Sequence, residues 1–377
     1  MEEPVPQSDE KQEKTEARRI LITGGSGFVG SYVLEHLYDT YHDYIFVNLD
    51  LLTYAGREEN VAERIRNDKQ RFTFIRGDIC DGDLVKWILR KHKIDTVLHL
   101  AAETFVDKSF HNAGQFVRSN VLGTTTLLQA CYDVYHRPGV QKGFPGLRLW
   151  LHVSTDEVYG SQLHNSPANP YTEDYSMMAP SNPYAASKCG AELMVQSYIQ
   201  SFDLPAIVLR ANNVYSERQS LEKVIPKFIT LALLGRPISL HGDGSAKRSF
   251  LHASDAARAF DVLVHKGKLG AIYNIGVDEE LTVKELASQI LALVHAHKPR
   301  EEQTSYLQHV RDRAFNDKRY FVSSDKIRAL GWQPLVKFED GLKSTYSWYR
   351  DNYQSLASAE AREEALQPHP ASLLPST

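Results

Sequence analysis

The 377-residue sequence lacks the features that mark membrane, secreted and nucleic-acid-binding proteins. No run of about 18 or more apolar residues is present, as a membrane-spanning helix would need. The 43 lysines and arginines do not outnumber the 47 aspartates and glutamates, so there is no basic excess for a nucleic-acid partner. Only three cysteines occur, without a metal-ligand pair, and the N-terminus has no apolar signal segment. We therefore expect a cytoplasmic protein with no bound metal, nucleic acid or membrane.

Short runs of β-branched and other apolar residues alternate with amphipathic stretches. These runs lie at 19–23, 44–49, 72–75, 96–100, 149–153 and 206–209. Strands that are apolar on both faces, each followed by a helix, predict a parallel, doubly wound α/β sheet with ligands at the carboxyl ends of its strands. Beyond residue 210, helical patterns at 223–234, 282–294 and 325–330 and a short strand at 238–240 predict a smaller, mostly C-terminal lobe over those ends.

A glycine-rich turn joins the first predicted strand to the first predicted helix. Gly24, Gly27 and Gly30 have the spacing G-x-x-G-x-x-G, which lets the backbone approach a pyrophosphate at a helix N-terminus. In this context the spacing predicts a Rossmann dinucleotide site. Asp50 closes the second strand, where an acid binds the adenosine ribose and repels a 2′-phosphate, so we expect NAD rather than NADP. Asp78, after the third strand, is the expected adenine contact.

Two further motifs place reactive side chains near that site. Ser154-Thr155-Asp156-Glu157-Val158-Tyr159-Gly160 follows the fifth predicted strand, and Tyr184-Ala185-Ala186-Ser187-Lys188 opens a predicted helix. Tyr184 and Lys188 share one helical face. The ammonium group and the nicotinamide charge are expected to lower the pKa of Tyr184, so that it serves as a base. Neighbouring carboxyl groups on Asp156 and Glu157 suit one acid role and one base role.

Together these motifs resemble the extended short-chain dehydrogenase/reductase family, and the Asp156-Glu157 pair resembles its dTDP-glucose 4,6-dehydratase subgroup. The resemblance runs from about residue 18 to 353 and includes the segments 50–56, 101–103, 183–188, 222–226, 273–276 and 312–313. It implies a dTDP- or UDP-glucose substrate, an NAD cofactor and a homodimer formed by helices at 113–136 and 185–200. The implied cofactor contacts are Gly24, Gly27, Phe28, Val29, Gly30, Asp50, Leu51, Thr53, Asp78, Ile79, Leu100, Ala101, Ala102, Tyr184 and Lys188.

The resemblance also implies a reaction mechanism. Tyr184, helped by Thr155 and Lys188, takes the proton from the sugar O4 as hydride leaves C4. Glu157 removes the C5 proton, and Asp156 donates a proton to the departing O6 hydroxyl. Hydride then returns to C6, which gives a 4-keto-6-deoxy sugar.

The substrate contacts implied by the resemblance lie on both sides of the expected cleft, at Glu103, Thr104, Asn213, Lys223, Arg248, Arg313 and Asn316. Arginines suit a diphosphate because a guanidinium group binds two oxygens at once. Some positions depart from the family pattern. Phe105 stands where histidine is usual and Lys108 where arginine is usual, and Ser216-Glu217 replaces a usual Gly-Pro. These departures bear on sugar or base preference and leave the residues proposed for proton and hydride transfer unchanged.

The sequence divides into an expected disordered tail at 1–17, an NAD-binding domain at 18–210 joined by segments around 245–276, a substrate lobe at 211–244 and 277–353, and a flexible tail at 354–377. Two alternatives to the dehydratase stay open. One is a 4-epimerase or decarboxylase of the same fold, in which one acid of the pair is dispensable. The other is a non-catalytic NAD-binding protein, which would tolerate loss of Tyr184, Lys188 or the acids.

Overall fold

The computed structural model describes residues 17–136, 146–161, 169–174, 177–312 and 317–367. The strands are β1 (Arg19–Thr23), β2 (Ile45–Asp50), β3 (Phe72–Arg76), β4 (Thr96–His99), β5 (Leu149–Thr155), β6 (Ala206–Ala211), β7 (Asn213–Tyr215), β8 (Ile238–His241), β9 (Lys247–Arg248), β10 (Phe250–His252), β11 (Ile272–Ile275), β12 (Leu281–Thr282) and β13 (Leu307–Val310). The helices are α1 (Phe28–Thr40), α2 (Glu63–Asn67), α3 (Gly82–Lys91), α4 (Val106–His111), α5 (Ala113–Phe116), α6 (Gly123–Tyr135), α7 (Pro183–Phe202), α8 (Val224–Leu233), α9 (Ala253–Lys266), α10 (Val283–Val294), α11 (Arg300–Thr304), α12 (Asp325–Arg328), α13 (Phe338–Asn352) and α14 (Ala359–Leu366). Residues 1–16 of the predicted N-terminal tail lie outside the described residues.

A seven-stranded sheet with the order β11-β6-β5-β4-β1-β2-β3 forms the centre of the molecule. Its neighbouring strands all run parallel. The strand order reverses at β1, which pairs with β2 on one side and β4 on the other. A crevice forms where parallel strands diverge in this way. The prediction of a doubly wound parallel α/β fold is therefore confirmed.

Both faces of the sheet are buried, which explains why its strands are apolar along their whole length. Ile20 and Ile22 point into a core shared with α1 and α9, whereas Leu21 points into a second core with α3, α6 and α7. Alternate residues of one strand thus serve opposite cores. Burying each such side chain contributes about 1.5–3 kcal/mol, and the two cores hold the strand ends, and the residues that follow them, in fixed positions.

A third core lies in the C-terminal part of the chain, where α8, α10 and α13 pack together. The segment from residue 354, where a flexible tail is expected, includes helix α14 at 359–366. Leu366 is buried in the third core, and Glu363 pairs with Arg236. Ser358 caps α14 by accepting a hydrogen bond from Ala361 N. The sequence of α14 is mostly charged and buries one leucine, so its apolar residues show little helical periodicity. The sequence pattern therefore does not predict this helix.

Several features are absent from the part of the chain that the structure describes. None of its helices combines the length and the apolar character needed to cross a bilayer. Its histidine, cysteine and acidic side chains form no group of three or more that could hold a metal ion. Cys80, Cys131 and Cys189 are all free thiols.

Candidate active site

A large cavity of about 520 Å³ opens at the carboxyl ends of the sheet strands and extends to β8 and β9. All predicted site residues among the described ranges line it. They are Gly24, Gly27, Phe28, Val29, Gly30, Asp50, Leu51, Thr53, Asp78, Ile79, Leu100, Ala101, Ala102, Glu103, Thr104, Thr155, Asp156, Glu157, Tyr184, Lys188, Asn213, Lys223 and Arg248. The two remaining predicted residues, Arg313 and Asn316, lie outside the described residues. The cavity therefore brings the predicted cofactor and substrate residues together.

The glycine turn leaves the N-terminus of α1 open to a ligand. Gly24 has φ +74°, and a Cβ there would approach the backbone nitrogen of Ala101 to 2.7 Å. A Cβ on Gly30 would lie 2.1 Å from the carbonyl oxygen of Gly24. Gly27 precedes the first turn of α1, and no side chain caps that end. Backbone N–H groups at an uncapped helix N-terminus fit a pyrophosphate.

Asp50 and Asp78 both line the cavity, and both carboxyl groups have partners that hold them in place. Asp50 is buried, which raises the pKa of its carboxyl group. Its oxygens accept hydrogen bonds from the backbone nitrogens of Ser26 at 3.0 Å and Leu52 at 2.8 Å. Asp78 pairs with Arg118 at 2.9 Å. Each carboxylate oxygen has a second lone pair, so Asp50 can still accept from a ribose hydroxyl, and the residues fit NAD.

The two adjacent acids lie in a short 3-10 turn that begins where β5 ends. Asp156 is only 2% exposed, and burial, followed by the neighbouring Glu157 carboxylate, raises its pKa to about 7. Burial also raises the pKa of Glu157. Each acid accepts from a different amide: Asp156 from Asn212 Nδ2 at 2.6 Å, and Glu157 from Asn182 Nδ2 at 2.9 Å. The turn thus holds an acid that is partly protonated near neutral pH beside a second carboxyl group.

Tyr184 and Lys188 come from the first turns of α7. Tyr184 forms a hydrogen bond with Thr155, and the Lys188 ammonium group donates to the carbonyl oxygen of Val153 at 2.6 Å. Burial lowers the pKa of Lys188 to about 8. In the protein itself, burial and then Glu157 raise the pKa of Tyr184. The expected pKa of Tyr184 is lowered, because that expectation includes the positive charge of a bound nicotinamide. Burial and Glu157 act in the opposite direction.

The predicted substrate residues among the described ranges line the same cavity as the cofactor residues. The backbone nitrogen of Glu103 donates to Asn120 Oδ1 at 2.8 Å, which fixes the loop that follows β4. Lys223 Nζ donates to the carbonyl oxygen of Thr104 at 2.8 Å. The Arg248 guanidinium group lies 5.0 Å from the centre of the Tyr320 ring and donates to the Asp317 carbonyl at 2.9 Å. These contacts hold the two cations in the lining of the cavity.

The departures from the family pattern form two local clusters. Lys108 Nζ lies 5.1 Å from the centre of the Tyr54 ring and 5.5 Å from that of Phe105, so the three side chains form one cation–aromatic group at the cavity edge. Ser216 Oγ lies 2.9 Å from His252 Nε2, and Tyr32 donates to the Glu217 carboxylate. The second cluster connects the loop before α8 to helix α1.

Sequence reasoning missed the amide residues around the acids. Asn182 carried a usable signal, because an asparagine directly before a proline at a helix start is typical of an N-cap. Asn120 and Asn212 carried none, because their partners are distant in the chain. Glu222 belongs to the segment 222–226 but is not among the predicted site residues, yet it lines the cavity.

The comparisons with known proteins agree with this geometry. Residues 21–345 match the family described as GDP-mannose 4,6 dehydratase. The chain is 43% identical over 354 residues to the dTDP-D-glucose 4,6-dehydratase of Mus musculus, covering 94% of each chain. It is 41% identical to a trifunctional UDP-glucose 4,6-dehydratase, 3,5-epimerase and reductase of Arabidopsis thaliana, covering 95% of this chain and 50% of that one.

Among solved structures, the crystal structure of the dTDP-glucose 4,6-dehydratase DesIV from Streptomyces venezuelae, with NAD bound, superimposes with a TM-score of 0.80. The two chains are 37% identical, with 90% of this chain and 100% of that chain covered. The chain belongs to the GDP-mannose 4,6 dehydratase family, within the extended short-chain dehydrogenase/reductases. The resemblance noted from the motifs is confirmed.

Proposed function

We propose that the protein is an NAD-dependent nucleoside-diphosphate-glucose 4,6-dehydratase, a hydro-lyase that converts dTDP- or UDP-glucose to its 4-keto-6-deoxy derivative and water. One observation carries this proposal. The Asp156-Glu157 pair lines the same cavity as Tyr184, Lys188 and the glycine turn. An epimerase needs only the oxidising residues, whereas elimination of water needs an acid and a base in addition.

The residues divide the chemistry between them. NAD, when bound against the glycine turn and Asp50, supplies the hydride acceptor and donor. Tyr184 takes the proton from the sugar O4 hydroxyl, with Thr155 and Lys188 orienting it. The C4 ketone acidifies the C5 hydrogen, so Glu157 can remove that proton and later return it to C5. Asp156 protonates O6, the C6–O bond breaks, and the oxygen leaves as water.

The different surroundings of the two carboxyl groups support their separate roles. Asp156, with a pKa raised to about 7 by burial, still carries a proton in a large fraction of molecules near neutral pH. Burial raises the pKa of Glu157 as well, while the hydrogen bond from Asn182 and the charge of Arg248 favour its charged form. Pairs of carboxyl groups with separated proton affinities are the usual basis of acid and base roles.

The test is incubation of the purified protein with dTDP-glucose and UDP-glucose separately, with mass detection of a product that has lost one water. We expect product from at least one nucleotide sugar, and about 10²- to 10⁴-fold slower product formation when Glu157 is replaced by glutamine. The two bases differ by one methyl group, which is worth about 1–3 kcal/mol of discrimination, so the ratio of kcat/KM identifies the preferred substrate. An NAD-loaded protein that releases no such product from either sugar would overturn the proposal.

We propose that residues 18–210 and 245–276 form the NAD-binding domain, and that residues 211–244 and 277–353 form the substrate lobe. The separate cores support this division. β11 belongs to the central sheet, and α9 packs on α1, whereas α8, α10 and α13 share the third core. Hydrogen exchange should show two groups of amides, one protected by NAD and the other by the nucleotide sugar. Uniform protection by either ligand would contradict the division.

We propose that two copies of the chain pair through the helical segments predicted at 113–136 and 185–200, which include α7 and the helical turn Val117–Leu122 that precedes α6. Val117, Leu122 and Leu193 are each at least half exposed, and α7 packs against this turn where Gly190 meets Val121. Exposed apolar side chains on neighbouring elements are typical of an interface. Light scattering should give a dimer mass that Leu193→Asp reduces to a monomer. Leu335→Asp, at an exposed leucine elsewhere, is the control, and a monomeric wild-type protein at micromolar concentration would refute the pairing.

We propose a cytosolic location on the basis of the three free thiols. Structural disulfides are common in oxidising compartments and rare in the cytosol. Cys131 and Cys189 are buried, and burial raises the pKa of both thiols. Cell fractionation with an antibody checks the location, and enrichment in the secreted fraction would contradict it.

A further inference from the structure

Asn212 lies directly behind the proposed acid. It follows the last residue of β6, and its backbone nitrogen donates to the carbonyl oxygen of Ile275 at 2.9 Å. Its side chain is buried, and Nδ2 donates to Asp156 Oδ2 at 2.6 Å. Asp156 Oδ1 accepts from Thr155 Oγ1 at 3.2 Å. One carboxyl oxygen of Asp156 is thus held by a strong donor, and the other has only a long hydrogen bond.

The position of Asn212 depends on a glycine at the end of the neighbouring strand. A Cβ on Gly276 would lie 1.7 Å from Asn212 Oδ1 and 2.7 Å from its Cγ. No side chain atom fits at that separation, so residue 276 must lack a Cβ for Asn212 to take this position. The φ of Gly276 is not in the left-handed region, so the requirement is for space rather than for backbone freedom. This accounts for the glycine of the segment 273–276.

We propose that Asn212, given its position by Gly276, is a positioning residue that orients the Asp156 carboxyl group as the acid of the elimination step. This inference rests on the proposed function. The amide N–H occupies Oδ2 and leaves Oδ1 as the oxygen that carries the transferable proton. Glu157 first takes the C5 proton of the 4-keto sugar; the Asp156 proton then passes to O6, the C6–O bond breaks, and water leaves. The same amide stabilises the carboxylate that Asp156 becomes, because a donor favours the charged form of its partner.

Other charged and titratable groups also face Asp156, and they stay in place when Asn212 is changed. Glu157 raises its pKa from the same turn, and Arg248, from β9, lowers it. Tyr184, from α7, is coupled to it as well. Removing the amide donor alone therefore raises the pKa of Asp156. An acid that must be protonated then stays active to higher pH, so the alkaline limb of the rate profile moves upward.

The test uses Asn212→Leu, which keeps the branched shape of the side chain and removes the donor, and Asn212→Ala, which avoids overpacking if the leucine variant does not fold. Gly276→Ala displaces Asn212 without changing it. Gly82→Ala is the matched control, because a Cβ at Gly82 meets only Thr126 Cγ2, at 3.4 Å. The readouts are single-turnover absorbance of the reduced nicotinamide, deuterium uptake at C5, product mass, and kcat as a function of pH.

We expect the three test variants to form product about 10- to 100-fold more slowly, a part of the usual contribution of a general acid. C4 oxidation and deuterium uptake at C5 should continue, and the alkaline limb of kcat should move to higher pH. Wild-type product formation in the folded variants, or equal loss of all steps with an unmoved pH profile, overturns the inference. A wild-type protein that forms no dehydrated product instead overturns the proposed function.

Discussion

Asn182 joins the two halves of the proposed catalytic machinery through its amide group. Its nitrogen donates to Glu157 Oε2 at 2.9 Å, and its oxygen accepts from the backbone nitrogen of Ala185 at 2.8 Å. The second bond caps α7, the helix that carries Tyr184 and Lys188. One buried side chain therefore fixes the base of the elimination step relative to the residues of the oxidation step.

Asn182→Ser and Asn182→Ala separate these two functions. Serine caps helices about as well as asparagine, but its shorter side chain does not reach Glu157 while it caps the helix. We expect Asn182→Ser to unfold close to the wild-type temperature and to lose several-fold in kcat. Asn182→Ala should lose that activity and also about 0.5–2 kcal/mol of stability. Thermal unfolding and product formation measure both effects, and a serine variant with full activity would show that the bond to Glu157 is unimportant.

Glu157→Gln tests the assigned base directly. Glutamine keeps the size of the side chain but cannot accept the C5 proton, so we expect product formation to fall by about 10²- to 10⁴-fold. Oxidation at C4 does not need Glu157 and should continue. The absorbance of the reduced nicotinamide should therefore rise on mixing with substrate and persist. If this variant turns over at the wild-type rate, another residue is the base.

Tyr184→Phe should instead slow the first step. Without the phenol, the O4 proton has no acceptor, and we expect C4 oxidation to slow by about 10²- to 10⁴-fold without accumulation of reduced nicotinamide. Tyr198→Phe is the matched control on the same helix, where the phenol donates to Gln129 Oε1 at 3.0 Å. It should keep its activity and lose about 0.5–1.5 kcal/mol of stability. Rapid oxidation in the Tyr184 variant would remove Tyr184 from its proposed role.

The sequence predicted those features whose physical cause is local. The strand β1 was predicted because both of its faces are apolar, and the glycine turn because its spacing directly joins that strand to a helix. The Asp156-Glu157 pair stood out because adjacent acids follow a buried strand. Asn212 was not predictable, because it meets Asp156 only when β5 and β6 lie side by side.

Two further features depend on surroundings that lie far away in the sequence. Helix α14 is held by Leu366 in a core that residues far away in the chain create, so its own composition gave no sign of burial. The expected lowering of the pKa of Tyr184 depends on the Lys188 ammonium group together with the positive charge of a bound nicotinamide. In the fold, burial and Glu157 dominate instead and raise it. Both cases depend on tertiary surroundings that no local pattern contains.

Asp261 offers a test of stability away from the proposed site. Its carboxylate, on α9, accepts hydrogen bonds from Tyr41 at 2.7 Å and from His36 at 2.9 Å, and these two bonds join α9 to α1. The same carboxylate pairs with His265 of α9 at 2.9 Å. Burial alone would raise the pKa of Asp261, but the hydrogen bonds from His265, His36 and Tyr41 hold it well below the usual value.

Because the folded pKa is depressed, the stabilisation is fully present above the unfolded value of about 4 and is lost as the pH falls through the folded pKa. We expect the free energy of unfolding of Asp261→Asn to be about 1–3 kcal/mol lower than that of the wild type near neutral pH. This difference between the two proteins should narrow below about pH 4. Urea unfolding across this range measures it. Asp278→Asn breaks an exposed pair with Arg328 and should cost less than about 1 kcal/mol. A difference between wild type and Asp261→Asn that stays constant into acid would show that the charge of Asp261 does not stabilise the contact between α1 and α9.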